Sequence, residues 1–132
     1  MIIPYAFRLT QGKDLKKSIL HFVQDNKIQA GSLLSGIGCL SKVNIRLADE
    51  SKTIEVSGPL EILTLSGTLT PQHVHLHISV ADKKGQVIGG HLVDGSIVSY
   101  TAEVCIASYT NLSFNREYDE STRFDELKIC AK

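Results

Sequence analysis

The chain has 132 residues, 42% of them hydrophobic and 21% charged, which suits one domain over 1–132 with its own core. Lys+Arg and Asp+Glu both number 14, and this balance argues against a fold that grips phosphate backbones through bulk positive charge. No stretch has the apolar length of a membrane span.

Residues 2–9 read as a strand with Tyr5, Phe7 and Leu9 on one face. Gln11-Gly12-Lys13-Asp14 ends it. Leu15, Ile19, Phe22 and Val23 then recur at helical spacing, with Asp14 placed to cap the helix. The spacing predicts one amphipathic helix of about three turns that covers a sheet, with His21 on its wet side.

From Ile28 onward the chain is β-rich. Strands are expected over 28–37 and 40–48, with Gly36-Ile37-Gly38 as a bend or hairpin between them. That Gly-x-Gly lacks the third glycine and the following helix of a dinucleotide site. Asp49-Glu50-Ser51-Lys52 reads as a polar turn before a short strand over 53–56. Ser57-Gly58-Pro59 punctuates, and 60–69 forms a long strand. Its apolar residues fall on both faces, as in a central strand.

Residues 73–81 alternate strictly. Val74, Leu76, Ile78 and Val80 face a core, while His73, His75, His77 and Ser79 point the other way. Asp82-Lys83-Lys84-Gly85 suits a three-residue hairpin loop with glycine in the left-handed region. That loop sets His77 across from His91, with Cβ atoms about 5 Å apart. His75 lies roughly 7 Å along the same face. A four-residue loop would turn His91 to the opposite face. Gly89-Gly90 leaves room for a ligand over the sheet.

Three neutral imidazoles converging in this way are ligands for a divalent transition metal, zinc foremost, with a fourth position left to water. The plainer alternative is a polar groove or subunit contact in which the histidines only hydrogen-bond. His73 lies too far along the strand to share an ion with His77 and belongs to the rim.

Asp94-Gly95 turns the chain into a further strand over 96–107. Glu103, within it, is a candidate general base if it lies beside the metal, and the Ser79 hydroxyl is a candidate assistant. Residues 111–114 are expected to close the sheet, 115–122 to form an exposed loop, and 124–129 to be a short terminal segment. The sum is an α+β fold: a mostly antiparallel sheet of about seven strands with one main helix near the N-terminus. Cys39, Cys105 and Cys130 form no C-x-x-C pair and read as reduced thiols. With Met1 leading straight into a strand, a cytoplasmic protein is expected.

Four segments carry a family resemblance: Gly58-Pro59-Leu60-Glu61-Ile62-Leu63-Thr64-Leu65-Ser66-Gly67, His75-Leu76-His77-Ile78-Ser79-Val80-Ala81-Asp82, Gly89-Gly90-His91-Leu92, and Thr101-Ala102-Glu103-Val104. In this order they resemble the plant-and-prokaryote conserved (PPC) domain, over nearly the whole chain. The resemblance implies a homotrimer whose metal is held by the H-x-H pair and the histidine after Gly-Gly, here His75, His77 and His91. Plant members usually have Arg-Phe before Glu-Ile-Leu, a stretch associated with partner binding. Pro59-Leu60 stands there instead. DNA contact in plant members belongs to an AT-hook, and this chain has no Arg-Gly-Arg.

Two functions are therefore weighed. One is a trimeric metal-binding protein that binds or transforms a small molecule. The alternative is a DNA-associated regulator acting through a local patch of Lys13, Lys16, Lys17, Lys27 and Lys42. An interaction scaffold with histidines at the subunit contact is a third, plainer reading.

Overall fold

The computed structural model describes residues 1–49 and 51–132. In chain order the elements are β1 (Ile2–Thr10), α1 (Leu15–Asp25), β2 (Gly31–Arg46), β3 (Thr53–Leu69), β4 (Val74–Ala81), β5 (Val87–Leu92), β6 (Ile97–Tyr109), β7 (Leu112–Asp119) and β8 (Phe124–Ala131). Six strands form an antiparallel sheet in the order β1-β6-β2-β3-β4-β5. The far end of β2 also pairs with β5, so β2, β3, β4 and β5 close into a ring. The α+β class and the single helix near the N-terminus follow the sequence.

Asp14 caps α1 as its chemistry predicts. Its Oδ1 accepts from the Lys17 backbone N–H at 3.0 Å, and its Oδ2 accepts from the Gly95 N–H at 2.7 Å. One carboxylate therefore starts the helix and ties it to the β5–β6 connection. Leu15, Ile19 and Val23 are fully buried from α1, in one core with Leu40, Ile45, Leu76, Leu92 and Ile106. Phe22 stacks on Phe7 with ring centroids 4.1 Å apart. This burial of apolar area is what holds the helix on the sheet.

The expected break at Gly36-Ile37-Gly38 is not there, because β2 runs through it as one strand. The strand bends by irregularities in its pairing with β6, between Leu33 and Ser35 and between Gly38 and Leu40. Gly38 has φ 147°, and a Cβ there would run into the Thr101 carbonyl oxygen. Glycine in this run marks a bulge rather than an end.

Likewise Ser57-Gly58-Pro59 lies inside β3. Leu40 pairs with Leu60 and Lys42 with Ser57, so Gly58 and Pro59 sit in an irregularity of the ladder. The proline, which has no N–H to give, is placed where pairing is already interrupted. A second irregularity, between Ile62 and Thr64, exposes Leu63 and brings Leu60, Ile62, Leu65 and Leu69 into the same core. The apparent two-faced pattern is thus one buried face with a phase shift.

The C-terminal expectation is also corrected. Residues 111–114 do not close the main sheet, and most of 115–122 is strand rather than loop. β7 and β8 pair with each other as a separate two-stranded sheet. Their exposed, charged side chains resemble loop composition, although backbone pairing and a Lys128–Glu117 ion pair at 2.8 Å make a regular hairpin. Of the expected turn over 49–52, Glu50 lies outside the described residues. Leu47 N–H donates to the Lys52 carbonyl at 2.9 Å across that turn.

Candidate metal centre

The turn from β3 into β4 sets which residues face outward. Thr70 N–H donates to the His73 carbonyl at 2.9 Å, and Thr70 Oγ1 accepts from the His73 N–H at 3.0 Å. The following ladder puts Thr68 opposite His75 and Ser66 opposite His77. Alternation then buries Val74, Leu76, Ile78 and Val80 and leaves the histidines on the other face.

The β4–β5 turn is the three-residue loop that the sequence predicts. Asp82 N–H donates to Gln86 O at 3.0 Å, Gly85 N–H donates to Asp82 O at 2.9 Å, and Gly85 has φ 79°. Asp82 Oδ1 accepts from the Lys84 and Gln86 N–H groups at 2.8 and 3.0 Å. With this register His77 faces His91.

Ring centroids are 5.1 Å apart for His75–His77, 5.2 Å for His75–His91 and 5.9 Å for His77–His91. One nitrogen from each ring lies within 4.8 Å of the others. A tetrahedral metal with bonds of about 2.0–2.1 Å holds its nitrogens about 3.3 Å apart. His73, at 6.4 Å from His75 by ring centroid, stays outside this cluster on the rim.

Two of the three rings are held toward the neutral form. Burial pushes the His91 pKa down to about 4, helped by the Arg46 guanidinium and by His75 and Lys16. Burial also lowers His75, with Arg116, His77 and Arg46 adding to it against Glu126. His73 is lowered for the same first reason, with Arg116 and Lys16 next. Neutral imidazoles with free lone pairs are what a metal requires. His91 Nδ1 is buried without a hydrogen-bond partner. The orphaned nitrogen, the lowered pKa values of His75 and His91 and the three-nitrogen cluster together fit a transition metal.

The histidines open onto a cleft of about 1200 Å³ between the main sheet and the β7–β8 hairpin. Arg46 from β2, Thr64 and Ser66 from β3, and Arg116 from β7 line it, with Asp125 and Glu126 from β8. The hairpin is docked by Phe114, whose N–H donates to Gln29 O at 3.0 Å, and by Arg116 Nη2, which donates to Thr68 Oγ1 at 3.1 Å.

Glu103 stands elsewhere. It is exposed on β6, opposite Arg8 and Ile37, and is not among the residues lining the cleft. Ser79 faces Gly89, and its Oγ is 2.6 Å from Thr64 Oγ1. The acidic residues that do line the cleft, Asp125 and Glu126, come from 124–129, expected to be a short terminal segment. Arg46 and Arg116 were equally illegible, since one depends on ring closure by β2 and the other on the docked hairpin. The only signal for the hairpin was a pair of charged, evenly long runs either side of Glu120-Ser121-Thr122-Arg123.

Known proteins are similar to this chain in sequence and in fold. A bifunctional GlmU protein of Synechococcus sp. (strain JA-3-3Ab) is 43% identical over 125 residues, covering 95% of this chain and 20% of that protein. The AT-hook motif nuclear-localized protein 16 of Arabidopsis thaliana is 31% identical over 117 residues, covering 84% of this chain and 45% of that protein. The chain therefore spans about a fifth and under half of these two relatives. Among solved structures, a hypothetical protein from Salmonella cholerae-suis superposes with a TM-score of 0.97 at 32% identity, covering 100% of this chain and 96% of that one. A metal-containing protein from Archaeoglobus fulgidus superposes with a TM-score of 0.75 at 28% identity, covering 94% and 91%. The family model for the Plants and Prokaryotes Conserved (PCC) domain matches residues 2–110, and the chain belongs to that family.

Proposed function

We propose that this chain is a metal protein in which His75, His77 and His91 hold one divalent transition metal, zinc foremost. The observation that carries this reading is the set of three imidazole nitrogens within 4.8 Å of one another. The Archaeoglobus fulgidus relative, described as metal-containing, supports it. The three histidines line the cleft, so a metal held by them would supply Lewis acidity to a small molecule bound there. The chain's own residues supply the walls: hydroxyls of Thr64 and Ser66, guanidinium groups of Arg46 and Arg116, and carboxylates of Asp125 and Glu126.

The unit we propose is a homotrimer. Leu34 and Ile37 on β2, Leu63 on β3 and Tyr100 on β6 are 61, 58, 48 and 80% exposed, an apolar outer surface on neighbouring strands that association would cover. The three free cysteines support a reducing, cytoplasmic setting. No helix among the described residues is long and apolar enough to cross a membrane. A DNA-associated role has weaker support, because Lys42 of the basic set is already paired with Glu55 at 3.1 Å.

Elemental analysis of purified, untagged protein tests the metal reading. About one zinc, nickel or iron per chain is expected, lost in His75→Ala/His77→Ala. Metal-free protein that also refuses metal on reloading would overturn it.

A further inference from the structure

The cleft contains two guanidinium groups that the chain leaves only partly satisfied. Arg46 Nε and Arg116 Nε are both buried, and neither meets a hydrogen-bond acceptor. Among the described residues the salt bridges are Lys42–Glu55 and Lys128–Glu117, so neither arginine is ion-paired. Buried guanidinium N–H groups without acceptors are costly, and their natural complement is a planar carboxylate.

Both groups are positioned by the fold. Arg46 ends β2 directly across from His91. Arg116 is held by its bond to Thr68 Oγ1, and Thr68 faces His75. Arg46 is thus the strand partner of one histidine of the cluster, and Arg116 is bonded to the strand partner of another. Ser66, across from His77, and Thr64 add hydroxyls to the same wall, while Leu47 and Phe124 add apolar surface. An occupant that uses all of these has a carboxylate, a second oxygen next to it, and a short apolar remainder.

The charge balance narrows the choice further. The two arginines are matched in number by Asp125 and Glu126 in the same cleft. That leaves the charge of a bound metal to be met by the occupant, which is therefore an anion.

Building on the three-histidine metal reading, we propose that the cleft binds small 2-oxo or 2-hydroxy acids, with the carboxylate on Arg46 and Arg116 and the neighbouring oxygen toward the metal.

The test is a titration of cobalt(II)-loaded protein with lactate and pyruvate, each beside its neutral amide, and with phosphate. Visible d–d bands and melting temperature are followed together. The acids are expected to change the bands and raise the melting temperature, with the amides weaker by roughly tenfold or more. Arg46→Gln should weaken the acids by a similar factor while cobalt stays at one per chain, and Arg46→Lys should recover part of the loss. If Arg46→Gln fails to fold, Arg116→Gln carries the same comparison.

Amides that bind as well as the acids, phosphate that binds more tightly, or an arginine variant that binds like wild type would overturn the proposal. Failure of cobalt to load separates the two readings. If lactate or pyruvate then still raises the melting temperature of wild type but not of Arg46→Gln, the arginine site stands and the metal reading falls. No response to either acid sinks both.

Discussion

Arg46 stands directly across from His91, where the end of β2 closes onto β5. This approach depends on the residue before His91. A Cβ on Gly90 would lie 2.8 Å from the Arg46 carbonyl oxygen and 3.5 Å from Ile45 Cβ. Gly90→Val should therefore push β2 off β5 and displace both Arg46 and His91. Forcing extra atoms into a packed site costs roughly 1–3 kcal/mol. The expected result is a lower urea midpoint together with a clear loss of zinc affinity, read by competition with a colorimetric chelator. Unchanged affinity would mean that closure of the ring does not position the site.

The histidines should make the metal-free protein acid-sensitive, and the sign is fixed by their shifts. His91 titrates near 4 when folded and near 6.5 when unfolded. Between those values the unfolded chain binds the extra proton, so stability rises with pH. The contribution is complete above about pH 6.5 and is lost as pH falls toward 4. His75 and His73, also lowered, act in the same direction. Denaturant unfolding of metal-free protein at several pH values should show this slope, and His91→Asn should flatten it. Saturating zinc should raise stability at pH 7 by about 2.7 kcal/mol at a hundredfold excess over Kd. That gain should vanish on acidification, because protons and metal compete for the same nitrogens.

Asp14 serves two backbone groups far apart in sequence, Lys17 N–H and Gly95 N–H. Asp14→Ala removes both acceptors. Loss of a helix cap alone costs about 0.5–2 kcal/mol, and the second bond should place this variant at the upper end. Asp14→Asn, which keeps an acceptor oxygen, should lie between it and wild type. Thermal unfolding monitored by circular dichroism measures the order.

Much of the fold was legible because its signals are local. The cap at Asp14, the alternation from Val74 to Val80 and the glycine turn at Gly85 each depend on a few adjacent residues. They were enough to bring His77 across from His91. Two of the errors arose where one strand carries an irregularity. Gly36-Ile37-Gly38 and Ser57-Gly58-Pro59 contain residues that normally end strands, and only the ladder on either side shows that they bend them instead. The cleft was half legible for a related reason. Its histidines share one hairpin, whereas Arg46, Arg116 and Glu126 come from three strands whose meeting depends on tertiary closure.

The exposed apolar residues make assembly measurable. Sedimentation velocity is expected to give a species of three chains, each of 14.5 kDa. Ile37→Asp or Leu63→Asp, which places a charge on that surface, should shift the protein to monomer while leaving its circular dichroism spectrum intact. A wild-type monomer at micromolar concentration would contradict the trimer.

The central claim is that one metal is held by three named side chains, and anomalous diffraction reads this directly. Crystals of zinc-loaded protein, measured on both sides of the zinc absorption edge, should give one strong anomalous peak per chain. The peak should lie about 2.0–2.1 Å from a nitrogen of each of His75, His77 and His91. No peak at the cluster, or a peak ligated by residues outside it, would contradict the account.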